Sequence, residues 1–293
     1  MAWRFQLLLL FLAPAAILAG LYALGLTLSV PYLGRSYVIR IELPDAGRQI
    51  GLPAIEGPQD ARRPLVVIDA GHGGHDPGAT GEGFEEKRLA LGLALALRDR
   101  IVERGGIRVA LTRSDDTFLV LQERVEIARR LGADLFLSIH ADSAGDEQAG
   151  VHGASVYTLS EKASDEAAAR LAARENAADR INGVPLAGQS DMVNAILVDL
   201  SQRRTQEQSA QFADLVVREG GGEIVFHPHP RRSAALAVLR APDVPSALFE
   251  AGFITNPEDA KWLASPEGKT AFADAMERAI RIYFARNSGA ATP

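Results

Sequence analysis

Four short segments, far apart in the chain, each end an apolar, strand-like run on a side chain that can bind a metal or move a proton. They are Val67-Ile68-Asp69-Ala70-Gly71-His72-Gly73-Gly74, Phe84-Glu85-Glu86-Lys87, Leu137-Ser138-Ile139-His140-Ala141-Asp142 and Leu248-Phe249-Glu250-Ala251-Gly252-Phe253. In an α/β domain the carboxyl ends of neighbouring strands open onto one crevice, so His72, His140 and Glu250 are expected to converge there. Two imidazoles and a carboxylate are the protein ligands of several hydrolytic Zn²⁺ sites that keep a position open for water, and a further carboxylate nearby can then transfer protons. The chain has no cysteine, which excludes a Cys-type structural zinc knot.

Each residue also has a plainer explanation. A single His at a strand end is more often hydrogen-bonded or at the surface than a ligand. Here two of them follow the same strand-to-turn pattern, with Glu86 opening a helix and Glu250 closing a third apolar strand. The helix dipole alone favours an acid at the position of Glu86 by ~0.3 to 1 kcal/mol. Glu250 follows Ala247-Leu248-Phe249, and a carboxylate at the end of a buried strand costs free energy unless paired, which favours a metal or catalytic role. Gly71, Gly73, Gly74 and Gly78 mark an open turn around His72. The turn lacks both the Gly-x-Gly-x-x-Gly spacing and the Lys-Ser/Thr ending of nucleotide loops. His75 sits inside this turn and is the weaker ligand candidate. Asp69 and Asp76 are placed to orient an imidazole, although Asp69 also suits the turning of the strand end. His227 and His229 lie in a Pro-rich stretch and read as surface or substrate-side residues.

The elements that must position these groups alternate. From Pro64 onward strands and helices follow one another, which predicts an α/β fold: a mostly parallel sheet flanked by helices on both faces. Strands are expected over 65–70, 107–112, 134–140, 153–159, 235–240 and 246–250. Helices are expected over 86–103, 120–131 and 269–284, the first with Leu89, Leu93 and Leu97 on one face and Gly105-Gly106 at its end. Between residues 160 and 219 the pattern turns helical, over 163–181 and from about 190 to 219, with a break at Gly183-Val184-Pro185-Leu186-Ala187-Gly188. Such an excursion is either a packed crossover or an inserted regulatory element. The apolar stretch Asp191–Leu200 within it suits a partner-binding helix and a core helix equally.

A chain of 293 residues with net charge -6 and no Lys/Arg-rich run argues for one large domain and against nucleic acid as a partner. Its N-terminus reads differently. Arg4 precedes an essentially uncharged stretch from Phe5 to about Tyr32, long enough for the ~20 apolar residues of a membrane span. Residues 1–33 are therefore expected to form a hydrophobic helix that acts as a signal anchor or signal peptide, placing the remainder outside the cytoplasm. Residues 34–63 read as a short strand, Tyr37–Leu43, and a linker, and 287–293 as a disordered tail.

Taken in order, several motifs resemble the zinc-dependent N-acetylmuramoyl-L-alanine amidases of bacterial cell walls. They are Ile68-Asp69-Ala70-Gly71-His72-Gly73-Gly74 with Asp76-Pro77-Gly78-Ala79, Glu86-Lys87, Leu111-Thr112-Arg113, Glu123-Arg124, Ser138-Ile139-His140-Ala141-Asp142 and Glu250-Ala251-Gly252-Phe253-Ile254-Thr255-Asn256. The resemblance spans roughly Pro64 to Phe284. It implies that His72, Glu86 and His140 hold one Zn²⁺ per chain, with Glu86 chosen over Glu85 by motif position, and that Glu250 is the catalytic acid/base. It further implies hydrolysis of the amide between N-acetylmuramic acid and L-alanine in peptidoglycan, for wall remodelling and daughter-cell separation, in a periplasmic protein; the apolar N-terminus adds either an inner-membrane anchor at residues 5–32 or a cleaved signal.

The stretch Ser160-Glu161-Lys162-Ala163-Ser164 with Arg174-Glu175-Asn176-Ala177-Ala178-Asp179 resembles the inserted helical segment of division-associated amidases. There, an inhibitory Glu covers the zinc until an activator with a LytM-type domain displaces it, and Glu175 takes that position in this chain. Two other readings compete: another zinc peptidase of α/β architecture, and a catalytically silent peptidoglycan-binding regulator. The first needs more ligands for a two-metal site than the motifs supply. The second would be expected to have lost a ligand or the catalytic Glu.

Overall fold

The computed structural model describes residues 51–143, 150–178, 180–181, 184–185 and 195–288. In chain order the elements are β1 (Leu65–Ala70), the short strands β2 (Thr80–Gly81) and β3 (Phe84–Glu85), α1 (Glu86–Arg104), β4 (Arg108–Leu111), α2 (Leu121–Leu131), β5 (Leu135–Asp142), β6 (Ala154–Leu159) and α3 (Glu166–Glu175). There follow the short strands β7 (Arg180–Ile181) and β8 (Val184–Pro185), α4 (Ala195–Gly220), β9 (Phe226–Ala234), a 3₁₀ turn at Ala237–Leu239, β10 (Ser246–Phe253), α5 (Pro257–Ala264) and α6 (Pro266–Ser288).

Six strands form the central sheet in the order β4-β1-β5-β10-β6-β9. All neighbours are parallel except β10 and β6. The mostly parallel sheet read from the alternation of strands and helices is therefore present, with one reversal. The two-residue period of β5 sorts its side chains. Leu135, Leu137, Ile139 and Ala141 join the cluster formed with Leu89, Leu93, Leu97 and Ile101 of α1 and with residues of α4 and α6. Phe136 joins Leu65, Val67 and Leu248 in the second cluster, against Ile127 of α2 and Leu171 of α3. On that second face the apolar pattern stops partway along the strands. Asp69 lies beside Ser138, and Glu250 beside His140.

Several predicted elements end elsewhere. The helix expected over 163–181 stops at Glu175, and Arg180–Ile181 instead pairs with Val184–Pro185. Asn176 ends α3 because its side chain leaves the helix to bond the backbone of Ala235 and Ala237. The strand expected over 235–240 is a 3₁₀ turn, since Leu236, Val238 and Leu239 all turn into the second core cluster rather than alternating. The strand lies just upstream at Phe226–Ala234, where Pro228 and Pro230 are tolerated because β9 is an edge strand. α6 begins at Pro266 and continues through Ser288, so residues 287 and 288, expected in a disordered tail, are helical. Helix α5, capped by the Asn256 side chain, was not foreseen.

The described residues belong to one compact unit, residues 48–293. Among them no helix is long and apolar enough to cross a membrane. The predicted hydrophobic helix at 5–32, the strand at 37–43 and the side chains of the apolar stretch 191–200 lie outside what is described.

Candidate active site

The loop after β1 is the first component. Its path requires His72 to adopt φ 59°, the left-handed region that non-glycine residues seldom occupy. Two buried arginines hold it there. Arg113 donates to the carbonyls of Ala70 (2.9 Å) and Gly71 (2.7 Å), and Arg124 to those of Ala70 (2.7 Å) and His72 (2.8 Å). Arg124 also pairs with Asp69 at 2.8 Å, and Asp69 accepts from Thr112 and Ser138. Asp69 thus braces the strand end and touches no imidazole, which leaves only the strand-end role expected for it.

Two glycines in this loop are dictated by what lies against them. A Cβ on Gly71 would stand 2.4 Å from the His140 ring, and one on Gly78 would stand 2.6 Å from His72 Cδ2 and 2.7 Å from Glu86 Oε2. Contacts that short are not sterically available, so the cluster occupies space that only glycine leaves free.

The sequence-predicted residues do converge. His72 and His140 meet edge to face with ring centroids 4.9 Å apart. Glu86 Oε1 lies 2.9 Å from His140 Nδ1 and 3.1 Å from His72 Nε2. Backbone amides hold its carboxylate in place: Ala79 N–H donates to Oε2 at 2.8 Å and Ala141 N–H to Oε1 at 3.0 Å. Glu85 points away and pairs with Arg88. Asp76 Oδ2 accepts from His72 Nδ1 at 2.7 Å, leaving Nε2 directed at the cluster. Although Nε2 is close to Glu86, it has no hydrogen-bond partner of acceptable geometry. His75 packs on Phe118 and takes no part in the cluster, while His227 and His229 sit on β9.

One ligand atom each from His72, Glu86 and His140 lies within 4.8 Å of the others. Two imidazole nitrogens and a carboxylate oxygen are a fitting donor set for Zn²⁺, and the buried, unbonded His72 Nε2 is the kind of atom a metal would satisfy. The carboxylate behind His72 is the usual outer partner that fixes the tautomer of a metal-ligating imidazole.

Glu250 stands beside His140 with both carboxylate oxygens buried and without hydrogen-bond partners. Burial, reinforced by neighbouring Asp142 and opposed by His140, raises its pKa well above the ordinary carboxyl range. Asp142 is itself raised to about 7 by burial, with Arg174 opposing and Glu175 and Glu86 adding to the rise. Burial disfavours charge on His72, yet the Glu86 carboxylate and the Asp76 hydrogen bond overcome it and bring its pKa to about 10.

Glu175, from the last turn of α3, enters the same cluster. Its Oε2 is 3.2 Å from His140 Nδ1 and 3.5 Å from His72 Nε2, and the residue is buried. Next to it, Arg174 pairs with Asp142. The sequence reading assigned no role to Arg113, Arg124, Asp142 or Arg174. The first three lie inside the quoted motifs, and Arg174 directly precedes Glu175.

The family model for N-acetylmuramoyl-L-alanine amidase (Amidase_3) matches residues 66–281. Over 222 residues the chain is 39% identical to the N-acetylmuramoyl-L-alanine amidase AmiA of Escherichia coli strain K12, a match covering 75% of this chain and 76% of that protein. It is 38% identical over 240 residues to the amidase AmiC of Escherichia coli O6:H1, covering 80% of this chain and 57% of that longer protein. Among solved structures, the amidase AmiC2 of Nostoc punctiforme aligns with a TM-score of 0.54 at 31% identity, over 76% of this chain and 98% of that one. With its fold, its His/Glu/His cluster and these matches in agreement, the chain belongs to the N-acetylmuramoyl-L-alanine amidase family of amide hydrolases.

Proposed function

We propose that this protein is a single-zinc amidase that cleaves the bond between N-acetylmuramic acid and L-alanine in peptidoglycan, and that it holds itself inactive through Glu175. The observation that carries the reading is the convergence of His72, Glu86 and His140 beside a buried carboxylate, Glu250, that has no partner of its own. These three residues would hold the ion. Bound there, Zn²⁺ supplies Lewis-acid polarisation of the scissile carbonyl and acidification of water.

The chain's own residues do the remaining work. Asp76 keeps His72 in the tautomer with Nε2 free, and Arg113 and Arg124 fix the loop that presents it. Glu250 accepts the proton of the attacking water and returns it to the leaving L-alanine amine. Glu175 fills the position that the substrate must enter. Removing α3 from the cleft would open the site, and a LytM-type activator is the proposed partner for that step. Export to the periplasm, with residues 5–32 as the membrane segment, completes the proposal.

The test uses purified sacculi with and without zinc chelation, followed by mass analysis of released stem peptides. Glu250→Gln should keep one zinc per chain and lose ~10²- to 10⁴-fold in turnover. Normal hydrolysis by this variant would remove Glu250 from the mechanism.

A further inference from the structure

A second charged position lies on the catalytic face, two strands beyond Glu250. Tyr157 of β6 is in register with Leu248 of β10 and with Arg232 of β9, so Arg232 shares the face that carries Leu248 and Glu250. The Arg232 side chain is only 9% exposed. Its guanidinium contacts neutral groups: the Tyr157 hydroxyl at 3.4 Å, the His229 carbonyl at 3.2 Å and the His227 ring at 3.1 Å. Together with Asp142, Tyr157, His227 and Phe253 it lines a small cleft of about 90 Å³. Among the described residues, no carboxylate of the sheet lies within ion-pairing distance of Arg232, Asp142 being paired with Arg174.

The acid that does approach it comes from α3. Asp165, the N-cap of that helix, lies 3.6 Å from Arg232 Nη1 and accepts from Ala168 N–H. At the helix's other end Glu175 occupies the histidine pair. Ten residues of helix span ~15 Å at 1.5 Å each, and the three strand steps from β5 to β9 span ~14 Å at 4.7–4.9 Å each. The two acids of α3 are therefore spaced as the two cationic positions on the sheet are.

We propose that Arg232 is a subsite for a carboxylate of the peptide released by the reaction, and that Asp165 occupies it in the closed state as Glu175 occupies the metal site. This rests on the amidase reading given above. From Glu250 to Arg232 is ~12 Å of sheet, two strand steps across and two residues along, which an extended peptide covers in about three to four residues. The recognised group is thus an acidic side chain or free carboxylate two or three positions beyond the scissile amide. In this view α3 imitates the substrate at both ends, and opening the site exposes the metal and the arginine together.

The experiment compares two soluble muramoyl-L-alanyl peptides that differ only in whether the acid at the second and third positions is free or a carboxamide. The full-length, zinc-loaded protein is used, with hydrolysis and calorimetric binding both measured. The wild type should favour the free acid by about tenfold or more in KM, the scale of a charge-assisted hydrogen bond at a buried site. Arg232→Met should abolish the preference by weakening only the acid substrate, and Arg232→Lys should restore part of it. Asp165→Asn retains an N-cap of similar strength, removes the competing charge and should tighten binding of the acid peptide several-fold more than that of the amide peptide, which gains only from the looser helix. Equal handling of both peptides by the wild type, or equal losses on both in Arg232→Met with no effect of Asp165→Asn, overturns the proposal. If neither peptide is cut even by the Glu175→Ala variant, in which the proposed plug is gone, the amidase reading fails. The calorimetric acid-over-amide preference and its response to Asp165→Asn still decide the subsite.

Discussion

Two glutamates reach the same pair of histidines from two different helices, and their attachments are opposite. Glu86 opens the 19-residue α1, at the helix end where the dipole favours a carboxylate. Its oxygens are bonded by the amides of Ala79 and Ala141, and α1 is fastened to the sheet by Leu89, Leu93, Leu97 and Ile101, each contributing roughly 1.5–3 kcal/mol. Glu175 closes the 10-residue α3, at the end where the dipole opposes a carboxylate. That helix buries little beyond Ala168, Leu171 and Ala172, and the Glu175 carboxylate meets the two histidines at 3.2 and 3.5 Å. Similar chemistry thus comes from one permanent and one removable arm. On the proposed reading, a ligand and a gate would differ in what stands behind the carboxylate, not in the carboxylate.

The largest effect should come from breaking the permanent arm. Glu86→Ala removes a ligand and the counter-charge of two buried imidazoles, and should cost metal affinity beyond the ~10–100-fold typical of losing an outer-shell partner, with activity lost alongside. Zinc content after dialysis against a graded chelator checks this. Retained stoichiometric zinc would move the metal away from Glu86.

Next in size is the effect of pH on metal loading. In the metal-free protein His72 has its pKa raised to about 10, and His140 is raised well above 6.5, burial opposing in both and the neighbouring carboxylates prevailing. Metal must displace those protons, so affinity should rise with pH by about tenfold per unit for each proton displaced. The linkage for stability runs the other way without metal. A histidine whose folded pKa lies above its unfolded value contributes stability that is complete below about 6.5 and lost as pH rises towards about 10. Melting scans across that window should show the chelated protein weakening while the zinc-loaded protein gains. Parallel curves would mean that the ion does not displace the imidazole protons.

The permanent arm was legible in the sequence and the removable one only in part, for a physical reason. β1, β5 and β10 are continuous apolar runs that end on chemistry, and α1 has a regular apolar face, so strand ends and helix start place His72, His140, Glu250 and one of Glu85 and Glu86 by local rules, the family motif choosing Glu86. What holds them is long-range: Arg113 and Arg124 reach back more than forty residues to backbone carbonyls, and no period reports that. α3 is an Ala- and charge-rich helix whose stop is set by Asn176 bonding residues 235 and 237, which helical propensity continued through to 181. Pro228 and Pro230 disguise the edge strand β9, and nothing local in the sequence singles out Arg232 on it.

On the removable arm, Glu175→Ala should leave zinc in place and raise basal hydrolysis of sacculi without any activator. The interaction lost is between a carboxylate and a cationic cluster, worth ~1.5–3 kcal/mol for charge-assisted bonds, so the gain should be about tenfold or more. An unchanged basal rate with intact zinc would make Glu175 a bystander and leave α3 as ordinary packing.

The smallest effect tests whether the gate is hung at its end as well as plugged at its tip. The Asn176 side chain donates to Ala235 O at 2.8 Å and accepts from Ala237 N at 2.7 Å. These two neutral bonds fix the end of α3 one residue beyond the plugging acid. Asn176→Ala keeps Glu175 and loses ~1–2 kcal/mol of docking, so the closed state should still dominate but open more often, by about fivefold for each kcal/mol. Basal activity should rise less than in Glu175→Ala, and the double variant should match Glu175→Ala alone, because an already unplugged site gains nothing further from a looser helix. If the two substitutions instead add fully, α3 obstructs the substrate by its bulk as well as by Glu175, and the comparison between the two glutamates becomes one between two helices.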